Sequence, residues 1–129
     1  MPHACIGVDV IVGFPGETDE DFQESANFIT SLDVSYLHVF TYSEREDTHA
    51  LTLKPVLPMH VRNERNKILR NISYQKMQGF TQKHLGETRK VLFEGANKNG
   101  MMEGYSDNYI KITVPYSESL ENKIMDWVM

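Results

Sequence analysis

Apolar residues and glycine run almost unbroken from position 6 to position 12, with Asp9 the one interruption, and β-branched types dominate. Such a run suits a parallel strand covered on both faces rather than the alternating pattern of a half-solvated one. It ends in Gly13, Phe14, Pro15 and Gly16, a turn in which backbone can approach whatever lies beyond the strand's carboxyl end. Thr18 followed by Asp21 has the form of a capping box and marks a helix start. Phe22, Ala26, Ile29 and Leu32 then recur at helical spacing across 18–32. Positions 34–42 are rich in β-formers and predict a second strand. Strand, helix and strand in this order make a βαβ unit, so the two strands should run parallel.

Positions 43–58 are polar and irregular, with Pro55 and Pro58, and predict a loop. A long helix is expected over 60–86, where Val61, Ile68, Leu69, Ile72 and Phe80 share an arc and Gly86 is a natural stop. Lys67, Arg70 and Tyr74 fall on the opposite side, while Arg65, Lys76 and Lys83 project within the arc, their stems covering its margins. From position 87 the texture changes to short strands at 90–94, 101–105, 109–114 and 123–129, separated by turns. That spacing predicts a small antiparallel barrel.

Two parallel strands have no independent stability, because both faces and both edges need partners. A complete (β/α)₈ barrel takes about 250 residues, and 1–57 supply about two strand–helix units of roughly 30 residues each. The expected fold class is therefore α/β. Residues 1–86 read as the carboxyl-terminal part of a TIM-like barrel, and 87–129 as an OB-like antiparallel barrel that ends inside a strand-like run. The first partner implied is the missing amino-terminal half of the same polypeptide. Without it, exposed edges favour self-association.

Nothing in the 129 residues approaches 18 consecutive apolar positions, and 1–4 lack the basic and apolar regions of a signal peptide, so no membrane partner is expected. Cys5 is the only cysteine, which excludes a disulfide framework and a Cys-rich metal site. A reducing, cytoplasmic setting follows, with no metal ligands expected. The net charge of −5 hides a segregation: ten acidic and two basic residues in 1–57, two and eight in 58–90, six and three in 91–129. A basic middle reads either as a solvated helix face or as a phosphate-facing stretch.

These segments resemble the radical S-adenosylmethionine methylthiotransferases. The run from Gly7 through Gly13, Phe14, Pro15, Gly16 and Glu17 to Phe22 is similar to their fifth barrel strand and the turn after it. Leu37, His38, Val39, Phe40, Thr41, Tyr42 and Ser43, followed by Arg45, resemble the sixth. Val91 to Gly95 and Gly104 to Val114 resemble the carboxyl-terminal TRAM domain, an OB-like barrel that holds RNA. The Leu-His-Val-Phe stretch before Tyr-Ser-x-Arg is most similar to the branch acting on N6-threonylcarbamoyladenosine beside the tRNA anticodon. The alternatives are the isopentenyladenosine branch, the branch modifying a ribosomal protein, and a non-catalytic RNA-binding module. Where the family has a Pro-Gly-Thr stretch this chain has Glu46, Asp47 and Thr48, and Asp tolerates the left-handed backbone that glycine prefers.

The resemblance implies S-adenosylmethionine and 4Fe–4S clusters as cofactors of the full-length enzyme and the tRNA anticodon stem-loop as its partner. This chain lacks the Cys-x-x-x-Cys-x-x-Cys motif. Without three thiolates no cluster can be held, so the chain alone is expected to bind no cofactor, to contain no catalytic residue and to be inactive. Asp9, Gly13, Phe14, Pro15, Gly16, Glu17, Phe40, Tyr42 and Ser43 are the candidates for bordering the cofactor. For Asp9 a buried structural hydrogen bond is an equal alternative, and for Phe40 and Tyr42 plain core packing is. Arg45, Arg62, Arg65, Lys67, Arg70, Lys83, Arg89 and Lys90 are the phosphate candidates. Tyr105, Asn108, Tyr109 and Lys111 are candidates to stack on or bond to nucleotides.

Overall fold

A computed structural model describes residues 3–96 and 99–129. The chain divides into two compact units, 6–78 and 79–129, the latter including 3–5. In the first unit, β1 (Gly7–Val12) leads through a turn to α1 (Asp19–Ser31), then β2 (Tyr36–Thr41), a 3-10 turn (His49–Thr52) and most of α2 (Met59–Lys83). β1 and β2 pair in parallel, from Gly7 opposite Tyr36 to Val12 opposite Thr41, as the βαβ order requires.

Among the described residues, only one face of this pair is covered. Val8, Val10, Val12, Leu37 and Val39 turn toward Phe22, Ala26 and Ile29 of α1 and Leu69 and Ile72 of α2. Asp9, Ile11, His38 and Phe40 turn the other way and are exposed, Ile11 by 59% and Phe40 by 53%. The strand interrupted by Asp9 is thus half-covered here, although its composition suits burial on both sides.

Both ends of α1 have an identifiable partner. The capping box forms: Asp21 N–H donates to Thr18 Oγ1 (3.1 Å) and Thr18 N–H to the Asp21 carboxylate (2.9 Å). No basic residue lies in the last turn of α1. Lys76 of α2 supplies that charge instead, donating from Nζ to the carbonyls of Thr30 (3.1 Å) and Leu32 (2.7 Å). α2 also serves the outer edge of β2. Ser73 Oγ accepts from Leu37 N–H (2.8 Å) and donates to Leu37 O (3.0 Å), and Asn66 donates to Val39 O (3.2 Å). The other edge of β1 carries no strand among the described residues.

The apolar arc predicted for α2 holds at Leu69, Ile72 and Phe80 but not at Ile68. Arg62, Arg65, Leu69 and Phe80 are the buried residues, while Ile68 is exposed. Two arginines displace Ile68 from the buried stripe because acids and carbonyls at the strand ends await them. α2 stops at Lys83 rather than Gly86, and Gly86 sits beyond it at φ 83°.

The second unit is a four-stranded antiparallel sheet in the order β5 (Lys111–Pro115), β4 (Met101–Ser106), β3 (Thr88–Ala96), β6 (Ile124–Val128). Val91, Phe93 and Met102 are fully buried on one face with Ile112, Val114, Leu120 and Trp127. Phe93 meets the Trp127 ring edge-on at 5.0 Å. A Cβ at Gly104 would lie 2.8 Å from both Phe93 Cδ1 and Val91 Cγ1, so glycine alone fits there. β5 begins at Lys111 rather than 109 because Tyr109 takes φ 64° in a turn closed by Ser106 and Ile110. β5 and β6 are the sheet's two edges and do not pair with each other. The fold is mixed α/β with a parallel pair and an antiparallel sheet, and neither sheet closes into a barrel among the described residues. No described helix is long and apolar enough to cross a membrane.

Candidate functional site

The turn after β1 is held from three directions. Gly13 and Gly16 adopt φ 77° and 88°, the left-handed region that favours glycine. Gly13 N–H donates to the Glu17 carboxylate (2.8 Å), Glu17 N–H to Phe14 O (3.0 Å), and Gly16 N–H to Pro55 O (2.9 Å). Two arginines one turn apart on α2 then brace it. Arg65 pairs with the Glu17 carboxylate and donates to Glu17 O (3.1 Å) and the Asp19 carboxylate (2.6 Å). Arg62 donates to Leu57 O (2.8 Å), Tyr42 O (3.0 Å) and the Glu44 carboxylate (2.7 Å). Its stem lies so close that a Cβ on Gly13 would sit 2.5 Å from Arg62 Cγ.

These arrangements involve three of the phosphate candidates. Arg62 and Arg65 are 3% and 5% exposed, and Arg89 is bound to Glu87 (2.8 Å) and Asp107 (3.0 Å) with its side chain largely buried. All three are paired with protein acids. Arg45, Lys67, Arg70, Lys83 and Lys90 remain exposed. The left-handed backbone allowed for Asp47 is what the chain adopts there, at φ 61°.

Of the cofactor candidates, Phe14 and Phe40 are exposed, as are Asp9 and Ser43. Asp9 therefore lies on the uncovered face rather than in a buried hydrogen bond. Tyr42 is buried, meets Phe14 edge-on at 5.3 Å and carries the Arg62 guanidinium 5.3 Å from its ring centroid. Its hydroxyl has no hydrogen-bond partner among the described residues.

A second candidate surface is the outer face of the antiparallel sheet. Ile124, Leu92, Tyr105 and Lys111 stand opposite one another across β6, β3, β4 and β5. Ile124, Leu92 and Tyr105, with Lys90, Glu94 and Tyr109, line a shallow concavity, Tyr109 being 70% exposed and Ile124 66%. Lys111 pairs with Glu103 at 2.7 Å and Lys90 with Asp126 at 3.3 Å. Asn108 does not join this face. It is buried in the turn, where its Oδ1 accepts from Ser106 Oγ (2.6 Å). Leu92 and Ile124 were not singled out in the sequence, although period-2 alternation from Tyr105 across the register would have placed them here. A further cluster is absent from the sequence reading: His3, His84 and Glu87 bring ligand-capable atoms within 4.8 Å of one another. Arg89, 2.8 Å from the Glu87 carboxylate, opposes a cation there.

Three carboxylates are held below their ordinary range. Thr18, chiefly through its backbone N–H, lowers Asp21 from 3.8, the Arg62 guanidinium lowers Glu44 from 4.5, and His84 followed by Arg89 lowers Glu87 from 4.5. Each binds protons more weakly folded than unfolded, so its contribution is complete above the unfolded value and disappears as pH falls through the folded one. The urea midpoint should therefore be highest above about pH 5 and fall below about pH 4.5. A midpoint that climbs with acid would contradict these pairings.

No protein-family model matches the chain. Curated relatives do. The threonylcarbamoyladenosine tRNA methylthiotransferase MtaB of Aquifex aeolicus is 41% identical over 111 residues, which is 86% of this chain and 26% of the relative. The protein of the same name from Bacillus subtilis is 36% identical over 129 residues, 97% of this chain and 29% of the relative. A tRNA-2-methylthio-N(6)-dimethylallyladenosine synthase of Bacillus pumilus is 38% identical over 112 residues, 82% and 21% respectively. The chain thus spans between a fifth and a third of the length of the curated relatives it matches. At 36–41% identity over 86–97% of its length to proteins named MtaB, the chain belongs to the MtaB-like methylthiotransferase family.

Proposed function

We propose that this chain is the carboxyl-terminal part of a cytoplasmic tRNA methylthiotransferase that adds a methylthio group to N6-threonylcarbamoyladenosine beside the anticodon. The observation that carries the reading is the 41% identity, over 86% of the chain, to a relative named for that reaction. In this reading 1–86 belong to the radical S-adenosylmethionine barrel and 87–129 to a TRAM domain. The bare edge of β1 and the uncovered face bearing Ile11 and Phe40 are where the preceding strands of the same polypeptide pack. Parallel strands need both faces covered, so without those strands the same edge favours self-association.

The residues present fit one wall of an S-adenosylmethionine site. Phe14 and Phe40 offer exposed aromatic surface, and Asp9 and Ser43 offer exposed polar groups at or below the strand ends. Gly13, Pro15, Gly16, Glu17 and Tyr42 shape the wall from behind. When bound, the cofactor supplies the radical chemistry and the methyl group. The 4Fe–4S cluster does not fit this chain, whose one thiol is Cys5, and its ligands belong to the missing part. The tRNA anticodon stem-loop would lie on the row of Ile124, Leu92, Tyr105 and Lys111, where Tyr105 and Tyr109 stack on unpaired bases. Lys90, Arg45, Lys67, Arg70 and Lys83 are the phosphate-contact candidates that remain.

Disrupting the gene and profiling tRNA nucleosides by mass spectrometry tests this. Loss of the methylthio form of threonylcarbamoyladenosine is expected. The relatives named for dimethylallyladenosine favour a second reading, which loss of that methylthio mark instead would establish. An unchanged profile would overturn both.

A further inference from the structure

We propose that Arg65 and Glu17 are a positioning pair: they set the turn at 13–17 in its ligand-facing conformation through the backbone, without either side chain touching the cofactor. The proposal rests on the reading that this turn borders S-adenosylmethionine. Glu17 Oε2 accepts from two sides at once, from Gly13 N–H (2.8 Å) and from the Arg65 guanidinium. Its side chain is mostly buried, and Arg65's almost wholly so. Arg65 also holds Glu17 O (3.1 Å) and the Asp19 carboxylate (2.6 Å), so one guanidinium spans the turn and the first residue of α1.

Two simpler roles do not account for this. A carboxylate near a helix start favours the helix dipole, but the dipole gives no reason for Glu17 to reach back four residues to Gly13. A phosphate contact requires an accessible cation, and Arg65 is buried. The pair does have a local task. Gly13 is buried at φ 77°, and without Glu17 its N–H would lose the acceptor that closes the turn, a costly state for a buried amide. Arg65 in turn keeps the Glu17 carboxylate aimed inward rather than toward water. Lysine cannot substitute, since a single ammonium does not reproduce a planar fork directed at two carboxylates and a carbonyl.

The test uses the intact polypeptide of which this chain is part, with Glu17→Ala, Arg65→Met and the double variant. S-adenosylmethionine affinity is read by equilibrium dialysis and tRNA affinity by filter binding. Each single substitution should weaken S-adenosylmethionine binding about tenfold, and the double should be no weaker than the worse single, because members of one unit are not additive. Glu17→Gln, which keeps an acceptor for Gly13, should fall between. The KM for S-adenosylmethionine should rise while kcat at saturation stays within about threefold, the pattern of lost ground-state and transition-state binding alike. Affinity for tRNA should not change. Unchanged cofactor affinity in both single variants, additive losses, or a loss of tRNA binding in Arg65→Met would each overturn the pairing. Hydrogen exchange at the Gly13 amide of the wild-type protein needs no variant: slow exchange is expected, and exchange at an open-loop rate would also overturn it. Should the wild-type protein bind no S-adenosylmethionine, the cofactor reading fails while the Gly13 amide still decides whether the pair sets the turn.

Discussion

Replacing Arg62 by alanine should destabilise the 6–78 unit by about 3 kcal/mol, the sum of two carbonyl acceptors left without donors and the lost packing of its stem. Leu57 O and Tyr42 O receive their hydrogen bonds from this guanidinium. Its Cγ also fills the space over Gly13. The pair with Glu44 adds little by itself, since that carboxylate is half-exposed and screened by water. Lysine should recover less than half of the loss, because one ammonium cannot serve the three acceptors that Arg62 reaches. Urea denaturation followed by circular dichroism measures this, and a cost below about 1 kcal/mol would show that the carbonyls find other donors.

The second large effect is expected on RNA. Removing both tyrosines, Tyr105→Ala with Tyr109→Ala, should weaken binding of an anticodon stem-loop by the intact polypeptide about 10- to 100-fold, since one base stacked on an aromatic ring is worth about 1–3 kcal/mol. Stability should change little, because Tyr109 is 70% exposed and Tyr105 stands on the outer face of its sheet. In the same assay Lys111→Ala should lower the salt dependence by about one counterion. Its pairing with Glu103 means that an ion pair breaks whenever a phosphate takes over. Unchanged affinity in the double tyrosine variant would remove this sheet face from the interface.

A good deal of the site was legible in the residues themselves. The strand, the glycine turn and the capping box at Thr18 and Asp21 depend on contacts among near neighbours, and all three occur where the pattern puts them. Asp47 in the left-handed region follows from the same local logic. The roles of the arginines were not legible. Arg62, Arg65 and Arg89 look in sequence like Lys67 and Arg70, basic residues in a basic stretch, and what separates them is the set of acids brought near by the fold. Arg65 is 48 residues from Glu17, and Arg62 is 18 from Glu44.

Helical periodicity was misleading for a related reason. It assigns burial by hydrophobicity, and so favoured Ile68 over the arginines. The chain instead buries Arg62 and Arg65, because hydrogen bonds at the strand ends offset their desolvation. By itself, then, the sequence determined the local elements, the parallel order of β1 and β2, and the turn types, all of which short-range sterics and hydrogen bonding specify. Only the tertiary structure decided which cations are spent internally, which face of β1 and β2 stays bare, and which side chains line up across the antiparallel sheet. Those outcomes depend on long-range pairings, in which a polar group's energy is set by the partner it meets and not by its own type.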